Sequence, residues 1–71
     1  MYLCDGKIGK EYQVMDMNLP VNMEKRLEAL GMTSGTSVAV LNSKNKGVLI
    51  VKVRGTRFAL GHNITKNIVV G

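Results

Sequence analysis

Arg26-Leu27-Glu28-Ala29-Leu30-Gly31-Met32-Thr33-Ser34-Gly35-Thr36-Ser37-Val38 decides how this chain is read, because it runs from a helix through a turn into a strand. Met23, Leu27 and Leu30 stand at i, i+4 and i+7, which places them on one helical stripe, with Glu24, Lys25 and Glu28 on the other side. Asn22 is the expected N-cap, since its side-chain oxygen can accept from a free amide of the first turn. Gly31 falls where a helix ends on a left-handed residue; Leu30 is then the C-cap, and Met32 folds back onto Leu27 in a Schellman ending. Thr33 to Thr36 reads as a tight turn, with Gly35 at the positive-φ position of type II.

The pattern changes on both sides of this stretch. Upstream, residues 10–17 alternate with Tyr12 and Val14 on one face and predict a strand, which Asn18-Leu19-Pro20 separates from the helix. Downstream, Ser37 to Leu41 is a strand apolar enough to be partly buried on both faces, and Asn42 to Gly47 is a polar loop. Val48 to Arg54 turns Leu49, Val51 and Val53 inward and Ile50, Lys52 and Arg54 outward. Arg54-Gly55 is a hairpin turn with Gly55 left-handed, after which Thr56, Phe58 and Leu60 alternate against Arg57 and Ala59. Gly61 to Asn67 has room for one helical turn, and Ile68-Val69-Val70 is a last strand. Gly6 lies in an N-terminal segment without a pattern, so Gly6→Ala is expected to matter much less than Gly31→Val. Four or five short strands joined by tight turns predict a mainly β fold, a small antiparallel barrel with one short α-helix inserted after the first strand. The helix plugs an open end, and closure removes exposed edges.

With 71 residues there is room for a single domain, residues 1–71, and none for a second. Hydrophobic residues at 45% and charged residues at 21% match a globular domain and not a disordered tail. A core this small supplies roughly 3–5 kcal/mol of net stability. Cys4 is the one cysteine, so no internal disulfide or CxxC zinc pair adds to it, and an unpaired thiol suits a reducing compartment. Val48-Leu49-Ile50-Val51 is the longest apolar run, far below the ~20 residues of a membrane-spanning helix. The N-terminus has no basic region followed by an apolar one, so no signal peptide is expected and the cytoplasm is the default location.

Charge is divided unevenly. Residues 1–28 hold every acid (Asp5, Glu11, Asp16, Glu24, Glu28) beside Lys7, Lys10, Lys25 and Arg26. Residues 29–71 hold Lys44, Lys46, Lys52, Arg54, Arg57 and Lys66 and no acid. A one-signed surface attracts phosphate, nucleic acid, anionic lipid or an acidic protein face.

Catalysis finds little support. His62 is the one histidine and no acid follows Glu28 to orient it, while a Cys4–His62 pair lacks both a third group and an oxyanion site. The eight glycines are scattered and form no phosphate-binding loop. No cofactor site and no metal site are expected: a 2-His-1-carboxylate set needs a second histidine, and the five methionines are spaced as core fillers. Base stacking needs exposed aromatics, and only Tyr2, Tyr12 and Phe58 are present, with Phe58 inward.

The stretch Arg26 to Val38 resembles the signature RL-x-x-LG-[hydrophobic]-x-P-G-x-x-V of the FeoA family, small cytosolic proteins of bacterial ferrous iron uptake. Val53-Arg54-Gly55, Phe58-Ala59-Leu60 and Ile68-Val69-Val70 are similar to the family's ending, and the likeness runs from about Gly6 to the C-terminus. Arg26, Leu27, Leu30, Gly31, Gly35, Gly55, Leu60 and Ile68 carry it. Ser34 stands where the family often has proline, and Thr65 where it has a small alanine. The resemblance implies an SH3-like barrel with a helical insertion. It also implies a non-enzymatic adaptor that docks on the cytosolic part of the FeoB ferrous iron transporter, without membrane insertion. The same fold occurs in iron- and manganese-responsive repressors, behind a DNA-binding domain that this chain does not show. Lys44, Lys46, Lys52, Arg54 and Arg57, on adjacent hairpins, are the expected partner surface. The alternatives are an RNA-binding barrel using the same basic hairpins and a transition-metal-binding iron-uptake module with a site shared between chains.

Overall fold

The strand pattern read from the sequence is realised as one antiparallel sheet. A computed structural model describes residues 1–71. In chain order the elements are β1 (Glu11–Met17), α1 (Val21–Ala29), β2 (Ser37–Ser43), β3 (Leu49–Val53), β4 (Thr56–Leu60), α2 (His62–Thr65) and β5 (Ile68–Val70). Short 3-10 turns occupy Leu3–Asp5 and Asn45–Gly47. The strand order is β4-β3-β2-β1-β5, with every pairing antiparallel. The fold is therefore mainly β, with a short helix after the first strand.

Alternate residues of each strand point inward, as period-2 geometry requires. Val14, Val38, Val40, Leu49, Val51, Val53, Leu60, Ile68 and Val70 make the interior, closed by Leu27, Met32 and Leu3. Two bulges bend the sheet: the register slips between Val14 and Asp16 against β5, and between Val40 and Asn42 against β3. A bulged strand carries one extra residue and turns more sharply, which a five-stranded sheet needs to wrap this small core. The slips turn Asp16 and Asn42 outward and Met17 inward against the core, while Ser37 to Leu41 buries Val38 and Val40 on one face and half-buries Ala39 on the other, with Leu41 exposed. β2 also continues through Asn42 and Ser43, so the polar loop is shorter than the composition implies.

The helix stop forms as predicted. Gly31 has φ +97°, its N–H donates to the Glu28 carbonyl at 2.9 Å, and the Met32 N–H donates to the Leu27 carbonyl at 3.0 Å. These two bonds are the Schellman pair. The helix start differs. Pro20 occupies the N-cap position and its carbonyl accepts from Glu24, so α1 begins at Val21. The Asn22 Oδ1 accepts from the Met23 N–H, a first-turn amide without a helical partner, but from inside the helix and not from the N-cap position. Proline at a helix start loses no bond, because the first amides have no partner within the helix. The turn after the helix docks on β1: Gly35, at φ +86°, donates to the Val14 carbonyl, and Thr36 returns a carbonyl to the Val14 N–H.

The barrel is not closed by hydrogen bonds between β4 and β5; α2 makes that connection as a single turn. The outer side of β5 is covered by the N-terminus, where Tyr2 bridges Val69 and the Val70 N–H donates to the Met1 carbonyl. No segment covers the outer side of β4. The expectation that closure abolishes every edge thus fails at one strand, since the turn at α2 carries the chain past β4 without pairing to it.

Candidate docking surface

The five basic residues expected to form one surface fall at two ends of β3. Lys44 and Lys46 lie in the β2–β3 connection, where Lys46 and Gly47 take φ of 64° and 76°. Arg54 lies in the turn that follows β3, and Lys52 is paired in register with Arg57 beside it. β3 separates the two groups by about 13 Å of extended chain. Lys52, Arg54 and Arg57 therefore form one cluster, and Lys44 and Lys46 another.

Arg54 is held in place. It has φ 51° and Gly55 has φ 83°, the paired positive values of a type I′ hairpin turn. The sequence marks Gly55 for this conformation but gives no sign of Arg54. The Arg54 stem lies across Gly31, so close that a Cβ there would sit 2.9 Å from its Cδ, and its guanidinium donates to the Thr36 Oγ1 at 3.4 Å. The helix stop and the basic turn are thus one assembly, and the left-handed glycine leaves room for the arginine stem.

A feature missed by sequence reading lies between α1 and β4. Met23, Arg26, Leu27 and Leu30 of the helical segment face Phe58, Ala59 and Leu60 of β4 and Ile64 of α2 across an open cleft of about 200 Å³. Of the predicted stripe, only Leu27 is fully buried, while Leu30 is 43% exposed and Met23 half-buried. The helix leans against the barrel through one residue and leaves the rest of its apolar face over the cleft, so it does not plug the end completely. The available signal was a stripe of three large apolar residues on a helix that has one core contact to make.

Other candidate chemistry is dispersed. Cys4 is half-buried, His62 is exposed, and no three His, Cys, Asp or Glu side chains lie together as metal ligands. The Tyr12 hydroxyl accepts from the Lys7 N–H, Tyr12 and Phe58 are half-buried against the core, and Tyr2 is exposed beside β5. Thr65 is completely buried with its hydroxyl donating to the His62 carbonyl at 3.4 Å, which explains how a polar side chain fits there. No helix is long and apolar enough to cross a membrane.

Comparison with known proteins places this architecture. A family model described as the FeoA domain matches residues 1–71. A crystal structure described as an iron uptake regulatory protein (FeoA) superposes with a TM-score of 0.88 at 28% identity, covering 99% of this chain and 93% of that one. The solution structure of a FeoA protein from Chlorobium tepidum gives 0.92 at 25% identity, over 99% of this chain and 68% of that one. Stenotrophomonas maltophilia FeoA, complexed with zinc, gives 0.83 at 30% identity, over 100% of this chain and 89% of that one. It is described as a prokaryotic SH3-domain protein and a candidate bacterial ferrous iron transport activating factor. No functionally curated protein matches the sequence at a significant level.

Proposed function

The chain belongs to the FeoA family, and from that premise we propose that it is a non-enzymatic accessory protein of bacterial ferrous iron uptake, acting in the cytoplasm by docking on the cytosolic part of a FeoB-type transporter and modulating it. The observation that carries the reading is the family match over the whole of residues 1–71. The Stenotrophomonas maltophilia relative, described as a candidate transport activating factor, supports the same direction. The charge distribution adds a physical reason. Residues 29–71 hold no acid, and Lys52, Arg54 and Arg57 stand exposed together at the β3–β4 turn. Such a cluster steers an acidic protein face into contact and fixes its orientation. Lys44 and Lys46, at the far end of β3, widen the same positive field.

The test is capture of the transporter from solubilised membranes by the tagged chain. Recovery is expected at low salt and should fall as salt shortens the Debye length from about 10 Å at 0.1 M. Lys52→Glu combined with Arg57→Glu should abolish it while leaving the urea midpoint unchanged, because both side chains are exposed. Failure to recover the transporter with the unaltered chain at low salt would sink the proposal.

A further inference from the structure

We propose that the uncovered edge of β4, with the apolar cleft beside it, is a strand-addition site for an extended segment of a partner protein in which large apolar residues alternate with glutamate or aspartate. This rests on the adaptor reading above and assigns it a docking face.

Arg54-Gly55 is a two-residue loop, so Val53 and Thr56 form a hydrogen-bonded pair, and by alternation Val51–Phe58 and Leu49–Leu60 do too. Arg57 and Ala59 therefore turn their N–H and C=O groups away from β3. No turn or loop hydrogen bond uses them, and no bridge forms on that side. The molecule covers its other edge with the N-terminal residues but leaves these groups to solvent. An open row of donors and acceptors is a template for another strand.

The cleft fixes the apolar half of the segment. Phe58 and Leu60 lie on the inward face of β4, opposite Val51 and Leu49, and line the cleft together with Leu30 and Met23. An added strand points every second side chain the same way. Its inward residues enter a space that holds one or two large apolar groups. Its outward residues lie beside Arg57, which is paired with Lys52 in the neighbouring strand.

Charge complementarity fixes the other half. Arg26 lines the cleft from α1, Arg57 stands on the outward face of the β4 edge beside Lys52 of β3, and no acid occurs after Glu28. Glu24 and Glu28 lie on the side of the helix away from the cleft stripe. Acidic residues alternating with the apolar ones complement these charges. A second copy of the chain does not, because pairing two β4 edges brings one acid-free, arginine-bearing strand against another.

The experiment titrates the full isotope-labelled chain with a blocked nine-residue peptide alternating leucine and glutamate, and with the same peptide carrying lysine for glutamate. The glutamate peptide is expected to give saturable amide shifts at Met23, Leu30 and residues 57–60. At a free concentration of about 100 times Kd it should slow hydrogen exchange at Arg57 and Ala59 by roughly a hundredfold. Absence of saturable shifts overturns the site. Shifts at the cleft without slowed exchange at those two amides overturn strand addition, and equal binding of the lysine peptide overturns the charge assignment. Ala59→Pro removes one edge donor without touching the β3 ladder, and Leu30→Glu puts a charge in the cleft wall should the proline variant fail to fold. Each should weaken peptide binding by roughly tenfold or more, a loss of about 1.4 kcal/mol. Transporter capture separates this proposal from the one it rests on. If the unaltered chain binds peptide but captures no transporter, the adaptor reading falls alone. If both variants capture transporter as well as the unaltered chain, this docking face falls alone.

Discussion

Leu3 and Met32 are both completely buried, and they reach the core by different routes. Met32 follows a glycine that stops a helix, and two backbone bonds fix its position relative to Leu27, all within six residues. Leu3 sits in a segment with no periodicity, held by a 3-10 turn and by the bridge from Tyr2 to Val69 at the other end of the chain. The first arrangement is local and can be read from side-chain spacing. The second exists only because β5 has an outer edge for the N-terminus to cover. The contrast extends to two glycines. Gly31 is required by its φ, whereas Gly6 has an ordinary φ of −66° and is required by crowding. A Cβ at Gly6 would lie 3.0 Å from the Leu3 carbonyl oxygen and 3.1 Å from both Tyr12 and Val40. The crowding at Gly6 is not signalled by the unpatterned segment around it.

Emptying the N-terminal anchor should have the largest effect. Leu3→Ala should cost about 2–5 kcal/mol, the range for a large buried aliphatic residue. In a domain of this size that is enough to leave a substantial unfolded fraction in plain buffer, seen as a lost or shortened native baseline in urea. A loss no greater than that of Ile8→Ala, whose side chain is 58% exposed, would show that the N-terminus is not part of the core.

Gly31→Val comes next. Left-handed backbone at a non-glycine residue costs roughly 1–2 kcal/mol, and the branched side chain meets the Arg54 stem besides. Repeating the substitution with Arg54→Ala separates the two effects. The loss should shrink but not vanish, because the flexible stem can move and φ cannot. If the loss disappears entirely in the Arg54→Ala background, crowding and not backbone conformation governs the helix stop.

Gly6→Ala should lower stability by about 1 kcal/mol, the lower range of overpacking, as two of its three neighbours are backbone or a β-branched side chain. Gly61→Ala is the matched control, with φ −71° and nothing within 4 Å of the added methyl. It should be neutral or slightly stabilising through the unfolded chain. Equal midpoints for the two variants at unchanged m-value would remove the crowding argument.

The smallest effect is expected at Thr65→Ala. Its hydroxyl makes one long bond to the His62 carbonyl, and alanine removes that bond and a methyl together without stranding a buried donor. A change of about 1 kcal/mol is expected, because the His62 carbonyl keeps the Lys66 N–H and a single long hydrogen bond is worth about that much. A much larger loss would mean that the hydroxyl holds α2 and so the turn past β4.

The strands, the hairpin at Gly55, the Schellman stop at Gly31 and the inward rows of β3 were legible in the sequence, because each depends on neighbours within about four residues. The helix start was misplaced for a reason of the same scale: asparagine is the better cap by propensity, but the rigid φ of Pro20 directs the chain into the first turn two residues earlier. The candidate site was less legible. Its basic residues could be named, but not that β3 divides them into two clusters, nor that Arg54 takes a left-handed φ against Gly31. The cleft and the free β4 edge left no mark in the pattern, because a strand alternates in the same way whether its outer side is paired or open. Local sequence thus determined which segments extend, turn and stop, through backbone conformation and side-chain period. The burial of Leu3, the crowding at Gly6, the two bulges and the uncovered edge were decided only by the tertiary structure, because each arises where residues far apart in the chain compete for the same space.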